Sequence, residues 1–251
     1  MASARGPVRV VPTLSWSAPG RWRPRPATLP VLLAGLWVFG TGEALLVASR
    51  WGNTPWTVLA EGVSRHSPLS IGAATLVISG VVLLGWIPLR ERPGLGTVLN
   101  AIVIAVAIDV VLAVLPRPHQ AVGQAGFVVA GIGAIGIGSA LYLTAALGPG
   151  PRDGWMTGLA RRFGLPLAWV RLGLEITVMV AGWLLGGRVG IGTAAFALGI
   201  GYTVTSAMRL LAHGAGPRGQ RAAGKAAGAA AGRGPQGDEN AASGALGVRL
   251  R

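Results

Sequence analysis

Six apolar runs dominate the chain, at Leu29–Ser49, Leu69–Leu89, Gly96–Leu115, Val122–Leu147, Leu167–Gly186 and Ile191–Ala212. At 1.5 Å per residue each is long enough to cross roughly 30 Å of hydrocarbon. Helix is the expected conformation, because an open strand in lipid would leave its backbone amides unsatisfied. The pattern predicts an all-α polytopic membrane protein with six transmembrane helices. Before the first run, residues 1–27 hold five arginines and five prolines but no apolar core of a signal peptide, and read as a flexible, basic, Pro-rich cytoplasmic arm. Residues 213–251, rich in Gly, Ala and Arg, read as a disordered tail.

Composition agrees. Apolar residues make up 51% of the 251 residues and charged ones 12%, half the usual share of about 25%. Mean hydropathy is +0.57. The absence of cysteine excludes disulfide scaffolds, thiolate metal sites and cysteine nucleophiles.

The net charge of +14 points first to nucleic acid, but its placement does not. Most arginines lie in the tails and between the apolar runs, with no aromatic residues interleaved as in a single-strand binding groove. Orientation follows from these flanks. With the N-terminus inside, the inner side receives the arm arginines, Arg90, Arg92, Arg152, Arg161, Arg162, Arg209 and the tail. The outer side receives only Arg50, Arg65, Arg117 and Arg188. Six spans with both termini cytoplasmic is the consistent solution.

An internal repeat has an offset of 96 residues. Gly40, Gly42 and Gly52 correspond to Gly136, Gly138 and Gly148, and Gly94-Leu95-Gly96-Thr97 corresponds to Gly190-Ile191-Gly192-Thr193. Thr57-Val58-Leu59-Ala60 matches Thr157-Gly158-Leu159-Ala160 if a short insertion is allowed. The units, residues 28–115 and 122–212, hold three spans each. An odd number makes the second enter the bilayer from the opposite side, a plan common among secondary transporters. The loops Thr54–His66 and Pro149–Arg162 are read as interfacial hinges in preference to re-entrant helices.

The loop motifs resemble the YczE/YitT-like family of bacterial integral membrane proteins. They are Thr54-Pro55-Trp56 with Gly62, Gly94 to Asn100, Ala107-Ile108-Asp109, Gly150-Pro151-Arg152-Asp153-Gly154, Met156 to Ala160, Glu175, and Gly182 to Gly187. The resemblance implies a multi-span inner-membrane protein, often taken for a transporter, and makes Asn100 a candidate site residue. Where that family often has Pro-Trp-Asp, Thr57 follows Trp56 here, so Asp153 in the second loop is the acid that remains.

Ionisable groups inside spans are costly unless paired or wetted, and so point to function. Glu43, Asp109, Arg171 and Glu175 qualify. Glu43 and Asp109 both fall roughly 20 Å from the cytoplasmic side along their helices, and Glu175 about 12 Å. Glu43 and Asp109 could therefore share one level as proton- or cation-coupling carboxylates, or each could be held in a structural hydrogen-bond network. Arg171 and Glu175, four residues apart, face one side of a helix and read as a local ion pair, or as the grip on an anionic substrate.

Other motifs lack their context. Gly131-x-Gly133-x-x-Gly136 lies within an apolar run, not at a strand–turn–helix junction, and His66, His119 and His213 lack metal-ligand spacing. Intramembrane serine and aspartyl protease signatures fail at Ser79-Gly80 and Asp109. No enzymatic activity, cofactor or nucleic-acid partner is expected. The expected partners are the bilayer and a small-molecule or ion substrate. The layout predicts a bacterial plasma-membrane permease for a small solute; a non-transporting scaffold or regulator binding a protein or anionic lipid is the alternative.

Overall fold

In the computed structural model, residues 11–214 are described. They form helices α1 (Thr28–Ser49), α2 (Pro55–Arg65), α3 (Ile71–Leu84), α4 (Trp86–Leu89), α5 (Leu95–Val114), α6 (Ala121–Ala145), α7 (Pro151–Phe163), α8 (Leu167–Leu184) and α9 (Ile191–Gly214). Among the described residues, six segments are long and apolar enough to cross a membrane: α1, α3 with α4, α5, α6, α8 and α9. Many large hydrophobic side chains lie exposed on the surface. Val122 and Leu198 are 83% and 86% exposed, while Thr28, Glu43, Asn53, Thr57 and Thr97 are buried. That inversion suits a protein whose solvent is lipid, where backbone and polar groups must be satisfied internally.

The element order α1–α2–α3–α5 recurs as α6–α7–α8–α9, with one register. Ser49, Pro55, Ile71 and Leu95 bound their helices where Ala145, Pro151, Leu167 and Ile191 do, always 96 residues later. No insertion precedes α7. The match of Thr57–Ala60 with Thr157–Ala160 is therefore out of structural register; the proline at the first helical position of α2 and of α7 sets the alignment.

Hydrogen bonds obey the same offset. The Gly96 N–H donates to the Leu147 carbonyl at 2.9 Å, and the Gly192 N–H to the Trp51 carbonyl at 2.8 Å. The Thr97 hydroxyl donates to the Pro149 carbonyl at 2.7 Å, and the Thr193 hydroxyl to the Asn53 carbonyl at 2.8 Å. Each of these loops turns on a glycine with positive φ, Gly52 at 120° and Gly148 at 113°, where an L side chain would be strained. Each unit thus ties its first loop to the last helix of the other.

At the centre α1 and α6 cross antiparallel, Gly35 lying against Gly138 and Gly42 against Gly131. A Cβ on Gly42 would fall 2.6 Å from the Gly131 carbonyl oxygen, so small residues are what let the backbones meet.

Two features differ from the sequence expectation. Residues 12–27, read as part of a flexible arm, pack across the end of α6. The Trp16 indole N–H donates to the Thr144 hydroxyl at 3.3 Å, the Ser17 hydroxyl to the Thr144 carbonyl at 2.6 Å, and the Ala18 N–H to the Ala145 carbonyl at 2.9 Å. The last two bonds satisfy carbonyls that end α6, a helix terminus with no intrahelical partners. Secondly, α2 and α7, read as interfacial hinges, pack against the spans rather than standing free of them. Pro55–Val58 and Ala60–Gly62 of α2 are buried, α2 packs along α8, and α7 packs against α3, α4 and α8. The 213–251 tail reading lies, beyond Gly214, outside the described residues, as do residues 1–10 of the arm.

Packing between the units is unequal at one place. Helix α3 packs along α5, whereas their equivalents α8 and α9 barely touch. A Cβ on Gly72 of α3 would run into the Ala105 carbonyl and the Asp109 carboxylate. In the other unit Gly201, equivalent to Ala105, has open space around it.

Candidate functional site

The N-termini of α2 and α7 reach the same central cavity, of about 170 Å³. Residues from all four helices of both units line it, largely as pairs 96 residues apart: Phe39 with Ile135, Glu43 with Ser139, Trp56 with Arg152, Thr75 with Arg171, Ser79 with Glu175, Asn100 with Phe196, and Ile104 with Ile200. The cavity therefore straddles the relation between the units. Chemistry breaks that relation, since in every mixed pair only one member is charged or bears an amide.

Glu43, on α1, is 1% exposed. Its carboxylate accepts hydroxyl hydrogen bonds from Thr54 at 2.9 Å and Thr57 at 2.7 Å. Thr54 caps α2, so the same loop that starts the helix supplies the donors, and the carboxylate faces a helix N-terminus. The nearest charge is the Arg152 guanidinium, 3.8 Å away and beyond hydrogen-bond distance.

Arg152 and Asp153 come from the first turn of α7. The Arg152 guanidinium lies over the Trp56 ring, 5.2 Å from its centroid, in the range of a cation–π contact. Burial draws this guanidinium below its ordinary value, and the negative charges of Glu43 and Asp153 oppose that effect; an arginine stays charged regardless. Asp153 accepts the Tyr142 hydroxyl. The Trp56 indole N–H is buried and has no hydrogen-bond partner among the described residues.

Arg171 and Glu175, on α8, form an ion pair at 2.8 Å beside the cavity, with Arg171 about half exposed. Asn100 of α5 reaches the turn at Gly150, where an added Cβ would meet both the Asn100 amide and the Asp153 carboxylate. The structure thus brings Glu43, Asn100, Asp153, Arg171 and Glu175 around one cavity.

Asp109 is elsewhere. Its carboxylate accepts from the Ser70 hydroxyl at 2.5 Å and the Gly72 N–H at 2.8 Å. It caps the N-terminus of α3, where unpaired amides and the helix dipole favour an anion. Glu43 and Asp109 do not share a site, because equal depth along two helices says nothing about which face each residue occupies.

The sequence reading passed over Trp56, Arg152 and Tyr142 as site residues. The first two had a usable signal, since strict use of the 96-residue offset pairs them at the start of two matching helices. It also passed over Glu61, whose carboxylate accepts from Asn53 at 2.7 Å, Arg65 at 2.8 Å and the Arg188 N–H at 2.9 Å, tying the α8–α9 turn to α2.

Residues 27–209 match a family of unknown function, DUF6198. The chain belongs to this family. It is 44% identical over 205 residues to an uncharacterized protein of Haemophilus influenzae, covering 82% of this chain and 94% of that protein. It is 33% identical over 163 residues to the uncharacterized membrane protein YczE of Bacillus subtilis, covering 64% of this chain and 75% of the relative. No solved structure matches. Family membership and six apolar helices make the chain an integral membrane protein.

Proposed function

We propose that the protein is a secondary transporter of the bacterial plasma membrane, built from two units inverted in the bilayer, with both termini cytoplasmic. The observation that carries this reading is the cavity at the junction of the units, lined by equivalent positions of each. Substrate sites of inverted-repeat transporters lie at such junctions, often at the N-termini of short broken helices. Helices α2 and α7 supply such termini, as re-entrant elements entering from opposite sides.

The unequal packing supports alternating access. Closed α3–α5 and open α8–α9 are two arrangements of one structural unit. If the units exchange arrangements, the cavity opens on the other side, which is rocking of one unit against the other. Glu43, buried in a span, is the candidate coupling carboxylate. The ionisable groups of the cavity hold and couple a solute; they are not read as a catalytic set.

The experiment needs no known substrate. In the exchanged state Ala168 and Gly201 approach as Gly72 and Ala105 do here. The double variant Ala168→Cys, Gly201→Cys, in a chain otherwise free of cysteine, is expected to cross-link in native membranes under mild oxidation. A pair that never cross-links, in folded protein, would count against the transporter and for a static scaffold.

A further inference from the structure

Hydrogen-bond accounting of the cavity gives the sign of its ligand. Its three carboxylates already have donors from the protein. Thr54 and Thr57 serve Glu43, Tyr142 serves Asp153, and Arg171 serves Glu175. Its donors are less well supplied. The Arg152 guanidinium has no carboxylate oxygen within hydrogen-bond distance, its nearest being that of Glu43 at 3.8 Å. The indole N–H of Trp56, a residue only 5% exposed, has no hydrogen-bond partner among the described residues. An indole N–H can only donate, and a guanidinium offers five donors and no acceptor. A buried donor left unmade is costly, so a position like that of the Trp56 N–H is kept for a group that arrives with an acceptor.

Thr75, Ser79, Asn100 and Ser139 also line the cavity, and the remainder of its wall is largely apolar. Phe39, Ile104, Ile135, Phe196 and Ile200 surround the same space of about 170 Å³. An apolar cavity of about 150 Å³ holds a benzene ring, so this one has room for a small organic body rather than a bare ion.

We propose that the cavity binds a small organic carboxylate, its carboxylate taken by Arg152 and the Trp56 N–H and its apolar body by the phenylalanine and isoleucine side chains. This rests on the cavity being the substrate site of the transporter. A planar guanidinium over the Trp56 ring, 5.2 Å from its centroid, carries the donor fork that pairs with a carboxylate in bidentate fashion. An organic cation would have to compete with the protein donor that each carboxylate already has.

The test is ligand-dependent melting and calorimetric binding on the full chain in detergent, with sodium acetate, butyrate and benzoate as probes. Inorganic phosphate and tetramethylammonium chloride are the comparisons. Butyrate or benzoate is expected to bind saturably and to raise the melting temperature. Trp56→Phe keeps an aromatic ring beneath Arg152 and removes the N–H together with the five-membered ring that carries it. It is expected to fold and to bind roughly ten- to a hundred-fold more weakly, the loss of one hydrogen bond to a charged acceptor. Arg152→Gln is expected to abolish binding.

No carboxylate binding by folded wild-type protein would overturn the proposal, as would equal binding by Trp56→Phe and Arg152→Gln. Preference for tetramethylammonium would overturn the sign, and binding of phosphate alone would overturn the organic body. The two readings fail separately. Carboxylate binding without the Ala168–Gly201 cross-link leaves the site and removes the transporter; the cross-link without carboxylate binding does the reverse.

Discussion

Arg152 lies with its guanidinium 5.2 Å above the ring of Trp56, the residue that occupies the equivalent position in the other unit. Two equivalent positions can meet only where the units face each other. The contact therefore lies between the units, at the wall of the cavity, where the two have diverged in chemistry, one to an aromatic platform and the other to a cation.

Gly42 and Gly133 lie on crossing helices yet should respond oppositely to alanine. A Cβ on Gly42 would meet the Gly131 carbonyl at 2.6 Å and the Ile135 side chain at 2.7 Å, whereas one on Gly133 meets nothing within 4 Å. Gly42→Ala is expected to cost about 1–3 kcal/mol, the range for overpacking. Gly133→Ala should be neutral or slightly stabilising through helix propensity. Melting in detergent separates them, and equal melting temperatures would refute the close crossing.

Asp109→Asn should leave ligand binding intact, because Asp109 caps α3 and does not line the cavity. The asparagine carbonyl can still accept from the Gly72 N–H, so the cost is expected at about 1 kcal/mol. Asp109→Leu, which removes the cap, should melt earlier than Asp109→Asn. A binding defect in folded Asp109→Asn would return this residue to the site.

The donors around Glu43 should matter more than their size suggests. Thr57→Val keeps the shape but removes the hydroxyl at 2.7 Å from a carboxylate that is 1% exposed. Leaving that acceptor short is expected to cost about 1–3 kcal/mol. Thr157→Val, whose hydroxyl bonds only to backbone carbonyls of its own helix, is the comparison and should melt close to the parent. Indistinguishable melting of the two variants would show that Glu43 does not depend on this bond.

Orientation can be read with single cysteines, since the chain has none. Cysteine at Arg117 or Arg188 should react with an impermeant maleimide added to whole cells. Cysteine at Arg90 or Arg161 should react only after lysis. Labelling of both loop pairs from outside would break the six-span arrangement.

What could be read without coordinates follows from physics that acts along the chain. The requirement that backbone be satisfied in lipid makes long apolar runs into helices, so the spans Leu29–Ser49 and Ile191–Ala212 emerge nearly as α1 and α9. The 96-residue offset was legible because the tight loops at Gly52 and Gly148 tolerate little but glycine. Side-chain partners were not legible, because they depend on helix rotation and crossing, which no count along one helix contains. Glu43 and Asp109 matched in depth and diverged in direction, one toward Thr54 and Thr57, the other onto the end of α3. The sequence by itself determined a six-span helical membrane protein with two related halves. Only the tertiary structure decided that Trp56 and Arg152 meet, that Asp109 stays out of the cavity, and that α8 stands away from α9 while α3 lies on α5. Hydrophobicity acts on each segment locally, whereas those contacts are set by which small residues let the helices approach.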